Sequence, residues 1–215
     1  MPARLRTVLW IMIVVAGLVL VAPYLSLGSR LEVHGYVHYA VLVAHVLTAA
    51  VALILGPLQF MPAVRAHRRR HRLIGRVYLL GGVLPAAVTA LPVAVWSVSP
   101  LTRISLTLAA VLWLVTAGLA VRAARRHDIT AHREWMMRNY ALTFLAVTAR
   151  LVVPVILLLR VTIADDSPAS IAETATTLIP IGQTAGWIIN LAVAEALIRR
   201  GTLRRRRPAA SGVRK

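Results

Sequence analysis

The chain has 215 residues, of which 59% are hydrophobic and 15% are charged, and it contains no cysteine. The lack of cysteine excludes disulfides, thiolate metal sites and a cysteine nucleophile. The net charge of +18 at pH 7 fits either a nucleic acid or an anionic membrane surface as partner, and the positions of the charges decide between them.

Apolar residues occur in six blocks of about 20 residues, the length that a helix needs to cross the hydrocarbon core of a membrane. We therefore predict an all-α integral membrane protein with one domain over residues 1–198. The first block follows a basic start, as in a signal peptide, but no A-x-A-like site follows, so we expect an uncleaved span. Residues 199–215 form a basic tail that we expect to be disordered. The predicted spans cover residues 7–25, 36–61, 74–96, 104–121, 138–160 and 176–198.

Basic residues are concentrated on alternate connections between these blocks. When the N-terminus is placed in the cytosol, 21 of the 25 basic residues fall on the cytosolic side. This positive-inside pattern predicts six spans with both termini in the cytosol. It also explains the net charge by membrane orientation and contact with anionic lipid headgroups, so we do not expect a nucleic-acid partner.

Three histidines in and before the second span share one helix face. His34, His38 and His45 are spaced by four and seven residues. Gln59 lies about 40° from His45 around the same helix, at 100° per residue. Two interpretations stay open. Either the stripe forms a metal, haem or proton site towards the outer side, or the first two histidines are interfacial and His45 bonds a neighbouring helix.

Further histidines lie at the basic ends of the third and fifth spans. His67 and His71 have the i,i+4 spacing of metal ligands, but neighbouring arginines such as Arg65 repel a bare cation, so no metal site is predicted. An anion or a cofactor with acid groups fits this setting better. His71 and His132 would approach each other if spans three and five are neighbours, and could then hold haem or another ligand. The alternative is that both lie at the level of the lipid headgroups.

Arg150 lies within the fifth span, about 18 Å from its start at 1.5 Å per residue. An ionisable group at this depth is a candidate functional residue. The carboxylate of Glu195, near the cytosolic end of the sixth span, is too far inward to pair with it. We predict that an anionic ligand supplies the missing charge in a pocket of four polar residues; the alternative is that Arg150 snorkels or bonds free carbonyls. The predicted pocket consists of His45, Arg150, Gln183 and Asn190.

Three short blocks together resemble a bacterial family of polytopic membrane proteins of unknown function. The first is His45 followed by GPLQF at residues 56–60, and the second is HRxxGRxY at residues 71–78. The third is HxxWMxR at residues 132–138, followed by Tyr140 and Arg150. The resemblance implies a multi-pass protein of the bacterial plasma membrane and implies no activity. Other polar residues of these blocks are further candidates for ligand binding: Gln59, Arg76, Tyr78 and Arg138.

A more distant analogy is to the ascorbate-type transmembrane cytochromes b, which have six helices and hold haem between histidine pairs. His71 and His132, at the starts of helices three and five, correspond to one such pair. Helix four contains no histidine, so a second haem is not implied.

Three hypotheses for the function therefore stay open. The first is a membrane redox protein that binds haem b or a quinone, with His71 and His132 as ligands and His45 as a further candidate. The second is a carrier or receptor for a small anion that uses Arg150. The third is a non-catalytic membrane partner of a larger complex. Whether the protein is an enzyme is left open, although too few acidic residues lie near one another for hydrolytic triads or paired carboxylates.

Overall fold

The computed structural model describes the backbone of residues 3–25, 35–164 and 168–206, and the side chains of residues 4–25, 35–160 and 177–202. Every secondary-structure element in these ranges is a helix, which confirms the all-α prediction. Residues 26–34 before the second span, which include the candidate His34, and the end of the basic tail, 207–215, lie outside the described residues. The elements are α1 (Ala3–Leu25), α2 (Gly35–Phe60), α3 (Pro62–Ala66), α4 (Arg68–Arg76), a π-helical segment (Val77–Val83), α5 (Leu84–Val95), α6 (Pro100–Arg125), α7 (Ile129–Thr143), α8 (Leu145–Ala164) and α9 (Pro168–Arg206).

Five helical stretches are long and apolar enough to cross a membrane, and a bent pair of helices makes a sixth if it counts as one span. Large apolar side chains cover the outside of the bundle, such as Leu108, which is 50% exposed. A surface of this kind is stable in contact with lipid chains and not with water. The chain therefore has the build of a multi-pass membrane protein. The five unbent stretches are Arg4–Leu25, Gly35–Phe60, Arg68–Val95, Pro100–Arg125 and Thr177–Thr202.

The fifth predicted span is bent. Helices α7 and α8 meet at Phe144 with an angle of 49° between them. The hydroxyl of Thr143 donates to the carbonyl of Asn139, 3.1 Å away and four residues earlier. Threonine side chains that bond back in this way often bend helices, although Thr48 and Thr116 make the same bond in unbent helices. The sequence predicted one continuous helix here because no proline or glycine marks the bend.

Helices also extend further than the predicted spans. The charged connection between the second and third spans is mostly helical, and α4 runs straight into the third span. Helix α9 continues to Arg206 and so includes residues 199–206, the first part of the predicted tail. Arginine is a good helix former, and Arg199 also lies 3.5 Å from Glu195 one turn earlier, which supports this end of the helix.

Small residues allow close contacts between the helices. Gly182 and Gly186 of α9, four residues apart, pack against Ala149 of α8. A Cβ on Gly186 would lie 3.2 Å from the backbone nitrogen of Ala149. Such small-xxx-small faces hold membrane helices together because they bring the backbones within van der Waals contact.

A buried polar cluster joins the π-helical segment, α6 and α7. The Tyr78 hydroxyl donates to Oδ1 of Asn139 at 2.6 Å and lies 3.1 Å from the Thr143 hydroxyl. The Asn139 amide donates to the Trp113 carbonyl at 2.8 Å and to the Thr116 hydroxyl at 2.9 Å. Tyr78 and Asn139 are both fully buried. Since the Asn139 amide is bonded on both its oxygen and its nitrogen, the cluster holds the three helical segments in a fixed arrangement.

Candidate functional site

The first and third sequence blocks fit each other directly. Pro57 has no N–H, so the carbonyl of Leu53 four residues earlier lacks its helical partner. The hydroxyl of Tyr140 donates to that carbonyl at 3.1 Å. The Tyr140 ring reaches it across Gly56, where any Cβ would overlap the ring. Gly56 and Pro57 therefore form the packing and hydrogen-bonding site of Tyr140 from α7.

The second block fits the first in a similar way. The side chain of Gln59 lies over Gly75, and a Cβ at that glycine would come 3.2 Å from its Oε1 atom. Gln59 is 6% exposed as a result. The three blocks, far apart in the chain, therefore meet at the basic end of α2, α4 and α7.

A cavity of about 410 Å³ opens where the blocks meet, and we call it the basic cavity. Its walls combine two arginines and two histidines with apolar side chains. Among its described lining residues there is no carboxylate, so the charge around it is positive. The lining residues are Gln59, Phe60, Arg65, His71, Ile129, His132, Arg133, Met136 and Met137.

The structure brings together the two histidines that the sequence paired. His71 and His132 line the same cavity and are close enough for their charges to interact. His132 Nδ1 lies 2.9 Å from the carbonyl oxygen of Ala120. Because a carbonyl only accepts, Nδ1 carries the hydrogen, and Nε2 of the neutral ring is an acceptor.

Two polar atoms in the basic cavity have no hydrogen-bond partner. These are Nε2 of Gln59 and Nδ1 of His71, and both are buried. Leaving a buried donor or acceptor unpaired costs about 1–3 kcal/mol. Such atoms are uncommon in folded proteins, and they indicate a place where a polar ligand or water binds.

A metal ion does not suit this setting. Arg65 and Arg133 repel cations, and no group of three or more metal-ligating side chains occurs in the described part of the chain. A ligand that presents oxygen acceptors or negative charge matches the cavity instead.

A second cavity of about 190 Å³ lies in the other half of the bundle, and we call it the Arg150 cavity. It brings together Tyr24, His45, Arg150 and Gln183 with apolar side chains of five helices. A smaller space of about 90 Å³ shares His45 and Thr143 with it. Three of the four residues that we expected to form one polar pocket therefore line one cavity.

The polar groups of the Arg150 cavity are partly bonded to the protein. Arg150 Nη1 donates to the Ala146 carbonyl at 3.1 Å, and Nη2 donates to the Tyr24 hydroxyl at 3.5 Å. In the described residues no carboxylate pairs with Arg150. His45 Nδ1 lies 2.8 Å from the Ala86 carbonyl, which is the bond to a neighbouring helix that we considered for this residue.

The remaining predicted site residues lie outside both cavities. Asn190 accepts from Thr148 at 2.8 Å and donates to Ala141 at 3.0 Å, so it ties α9 to α7 and α8. Arg76 is exposed. Tyr78 belongs to the buried cluster, and Arg138 is paired with Glu195 at 2.8 Å. Ligand binding by these four residues stays a prediction.

Sequence reasoning missed several residues that shape the site. Asn139 organises the buried cluster, and Phe60 and Met136 form apolar walls of the basic cavity. A signal existed for Asn139, since an amide inside an apolar helix needs partners on a neighbouring helix. Phe60 and Met136 belong to the GPLQF and HxxWMxR blocks, but nothing in the sequence indicated that they form the wall of a cavity, because apolar residues are ordinary in a membrane span.

A comparison with protein families identifies the family of the chain. The family model described as a predicted membrane protein (DUF2306) matches residues 42–198. The chain belongs to the DUF2306 family. The match includes all three sequence blocks and the whole basic cavity, which confirms the resemblance and establishes a membrane protein of unknown function. No curated protein and no solved structure matches the chain.

Proposed function

We propose that this DUF2306 protein is a membrane redox protein that binds a quinone in the basic cavity. The observation that carries the proposal is the pair of buried, unpartnered atoms, Gln59 Nε2 and His71 Nδ1, in that cavity. The carbonyl oxygens of a quinone accept hydrogen bonds and would satisfy Gln59 Nε2, and also His71 Nδ1 in the tautomer that carries its hydrogen there. Each bond gained at a buried donor is worth about 1–3 kcal/mol.

The walls of the basic cavity support the same ligand class. Phe60, Met136 and Met137 offer ring and thioether contacts to a flat, apolar ring. Phe60 is 37% exposed on the outside of the bundle, so a lipid-soluble ligand can enter from the membrane. His132 Nε2 is a free acceptor that can take a proton from a bound quinol.

Haem b fits less well than a quinone. A histidine that ligates a metal nearly always donates its second ring N–H to a carbonyl or carboxylate. His132 meets this requirement through Ala120, whereas His71 Nδ1 has no partner. If haem b were bound, His132 would be its better-prepared ligand, and Arg65 and Arg133 would hold its acid groups.

A binding measurement tests the quinone proposal. We expect decylubiquinone to quench the tryptophan fluorescence of the purified protein saturably, and Gln59→Leu and His71→Ala each to weaken binding about tenfold, since one hydrogen bond of about 1.4 kcal/mol is lost. His67→Ala is the matched control, because His67 is exposed and outside the cavity. Equal affinities in the wild type and both cavity variants would refute the proposal. A Soret band that shifts on dithionite reduction and disappears in His132→Ala would instead establish haem.

A second candidate function is favoured by the Arg150 cavity. There Arg150, His45 and Gln183 line one space, and the described residues supply no carboxylate to balance the guanidinium. A carrier or receptor for a small anion would use this arrangement. A third role, as a non-catalytic membrane partner of a larger complex, is compatible with both cavities.

We further propose a single membrane domain with six spans, both termini in the cytosol and a location in the bacterial plasma membrane. The positive-inside distribution of arginine supports this orientation, and it would place the basic cavity at the cytosolic face, in contact with anionic lipid headgroups.

The lack of native cysteine makes this topology directly testable. A membrane-impermeant maleimide added to intact cells should label Val98→Cys, in the turn between α5 and α6. It should label Arg4→Cys and Gly201→Cys only after the cells are permeabilised. Labelling of Gly201→Cys in intact cells, with Arg4→Cys protected, would mean an odd number of spans.

A further inference from the structure

The tautomer of His45 determines which kind of ligand can bind in the Arg150 cavity. His45 Nδ1 lies 2.8 Å from the carbonyl of Ala86, so in the neutral ring Nδ1 carries the hydrogen. The other ring nitrogen, Nε2, then presents a lone pair. A bare anion beside this nitrogen would meet a lone pair and not a donor.

The rest of the cavity presents donors. Arg150 has five N–H groups, of which two are used by Ala146 and Tyr24. Gln183 accepts from the Thr102 hydroxyl through Oε1 at 3.0 Å, which leaves its NH₂ group as the end that can donate. A planar carboxylate matches a guanidinium in shape and charge.

We propose that the Arg150 cavity binds a short-chain monocarboxylate together with one proton. The carboxylate oxygens accept from Arg150 and Gln183, and one proton from the solution is held between a carboxylate oxygen and His45 Nε2. No bond other than that to the proton forms or breaks. The proton turns His45 Nε2 into a donor, so the ring no longer presents a lone pair to the carboxylate. This inference rests on the second candidate function, the anion carrier or receptor.

Other titratable groups do not replace His45 in this role. Tyr24 from α1 and Arg150 from α8 are the titratable groups that face it across the cavity. The described lining residues from α5, α6, α7 and α9 are not titratable. Among the described lining residues, His45 is therefore the side chain suited to accept the proton.

The volume of the cavity is enough for a small ligand. About 190 Å³ corresponds to roughly six water molecules at about 30 Å³ each. The walls beyond the polar groups are apolar, with Leu42, Val93 and Leu106 among them. A carboxylate with a tail of a few carbon atoms fits both the polar and the apolar part.

Calorimetry with butyrate on the purified full-length protein tests the proposal. We expect binding at about pH 5.5 and at least tenfold weaker binding at about pH 8, because the proton that accompanies the anion becomes scarcer as the pH rises. Titrations at about pH 7 in buffers of different ionisation enthalpy should show uptake of about one proton per butyrate. Arg150→Gln should abolish binding, and Gln183→Leu should weaken it several-fold. His45→Gln should remove the proton uptake. Leu108→Ala, on the lipid-facing surface, should bind like the wild type.

The outcomes separate this inference from the function on which it rests. Methanesulfonate is the anion of a strong acid. If it binds as well as butyrate and without proton uptake, the cavity is an anion site and the proposal of proton-linked monocarboxylate binding is wrong. If neither anion binds to protein that elutes as one folded species, the anion function itself fails. Butyrate binding that persists in both Arg150→Gln and Gln183→Leu would also overturn the assignment.

Discussion

The variant Gly56→Ala is expected to lose about 1–3 kcal/mol of stability, the range for overpacking a well-packed site. The added Cβ would overlap the ring of Tyr140, which cannot move away while its hydroxyl bonds the Leu53 carbonyl. The tyrosine must shift, and both the contact between α2 and α7 and the bond that compensates for Pro57 are weakened. The measurement is the unfolding free energy in mixed detergent micelles, followed by circular dichroism.

Two companion variants make this result specific. Gly118→Ala on α6 has open space around the new Cβ and should be neutral or slightly stabilising, because alanine favours helix over glycine. In a Tyr140→Ala background the Gly56→Ala change should cost almost nothing, since the overlapping ring is absent. Full additivity of the two substitutions would show that the tyrosine does not rest on Gly56.

The variant Asn139→Leu is expected to lose about 2–4 kcal/mol. It removes the bonds from Asn139 to Trp113 and Thr116, and it takes the acceptor away from the Tyr78 hydroxyl. Hydrogen bonds between membrane helices average about 0.6 kcal/mol and reach about 1.7 kcal/mol, and three of them are lost here. The Tyr78 hydroxyl keeps only Thr143 as a partner. The same detergent unfolding assay measures this loss.

Comparison with a smaller change separates the hydrogen bonds from the packing. Tyr78→Phe removes the hydroxyl but keeps the ring, so it should cost less than Asn139→Leu. Leu108→Ala, a truncation on the lipid-facing surface, should stay within about 0.5 kcal/mol of the wild type. A stability of Asn139→Leu equal to that of the wild type would mean that the buried cluster does not hold the three helices.

The contacts at Gly56 and Gly75 explain why the separate sequence blocks belong together. Gly56 and Pro57 create a recess and a free carbonyl, and Tyr140 from the third block fills both. Gly75 from the second block makes room for the Gln59 side chain. In each case a glycine of one block leaves space that a side chain of another block fills, and the basic cavity forms beside these contacts.

The sequence by itself determined the all-helical class and the multi-pass membrane character, and it placed His71 and His132 at the same basic end of the bundle. Each of these follows from a local property: the length of an apolar block, or the end of the helix on which a residue lies. Whether the two histidines approach each other depended on the helices being neighbours. It also indicated that His45, Arg150 and Gln183 share a depth, because the rise per residue of a helix is constant.

Only the tertiary structure decided the rest. The bend at Phe144 has no proline or glycine to mark it in the sequence, and the exclusion of Asn190 from the Arg150 cavity depends on how α9 is rotated against α7 and α8. The unpartnered state of Gln59 Nε2 and the fixed tautomer of His45 depend on atoms from other helices. Periodicity specifies which residues share a face of one helix, but the neighbour that each face meets is decided by side-chain packing between helices far apart in the chain.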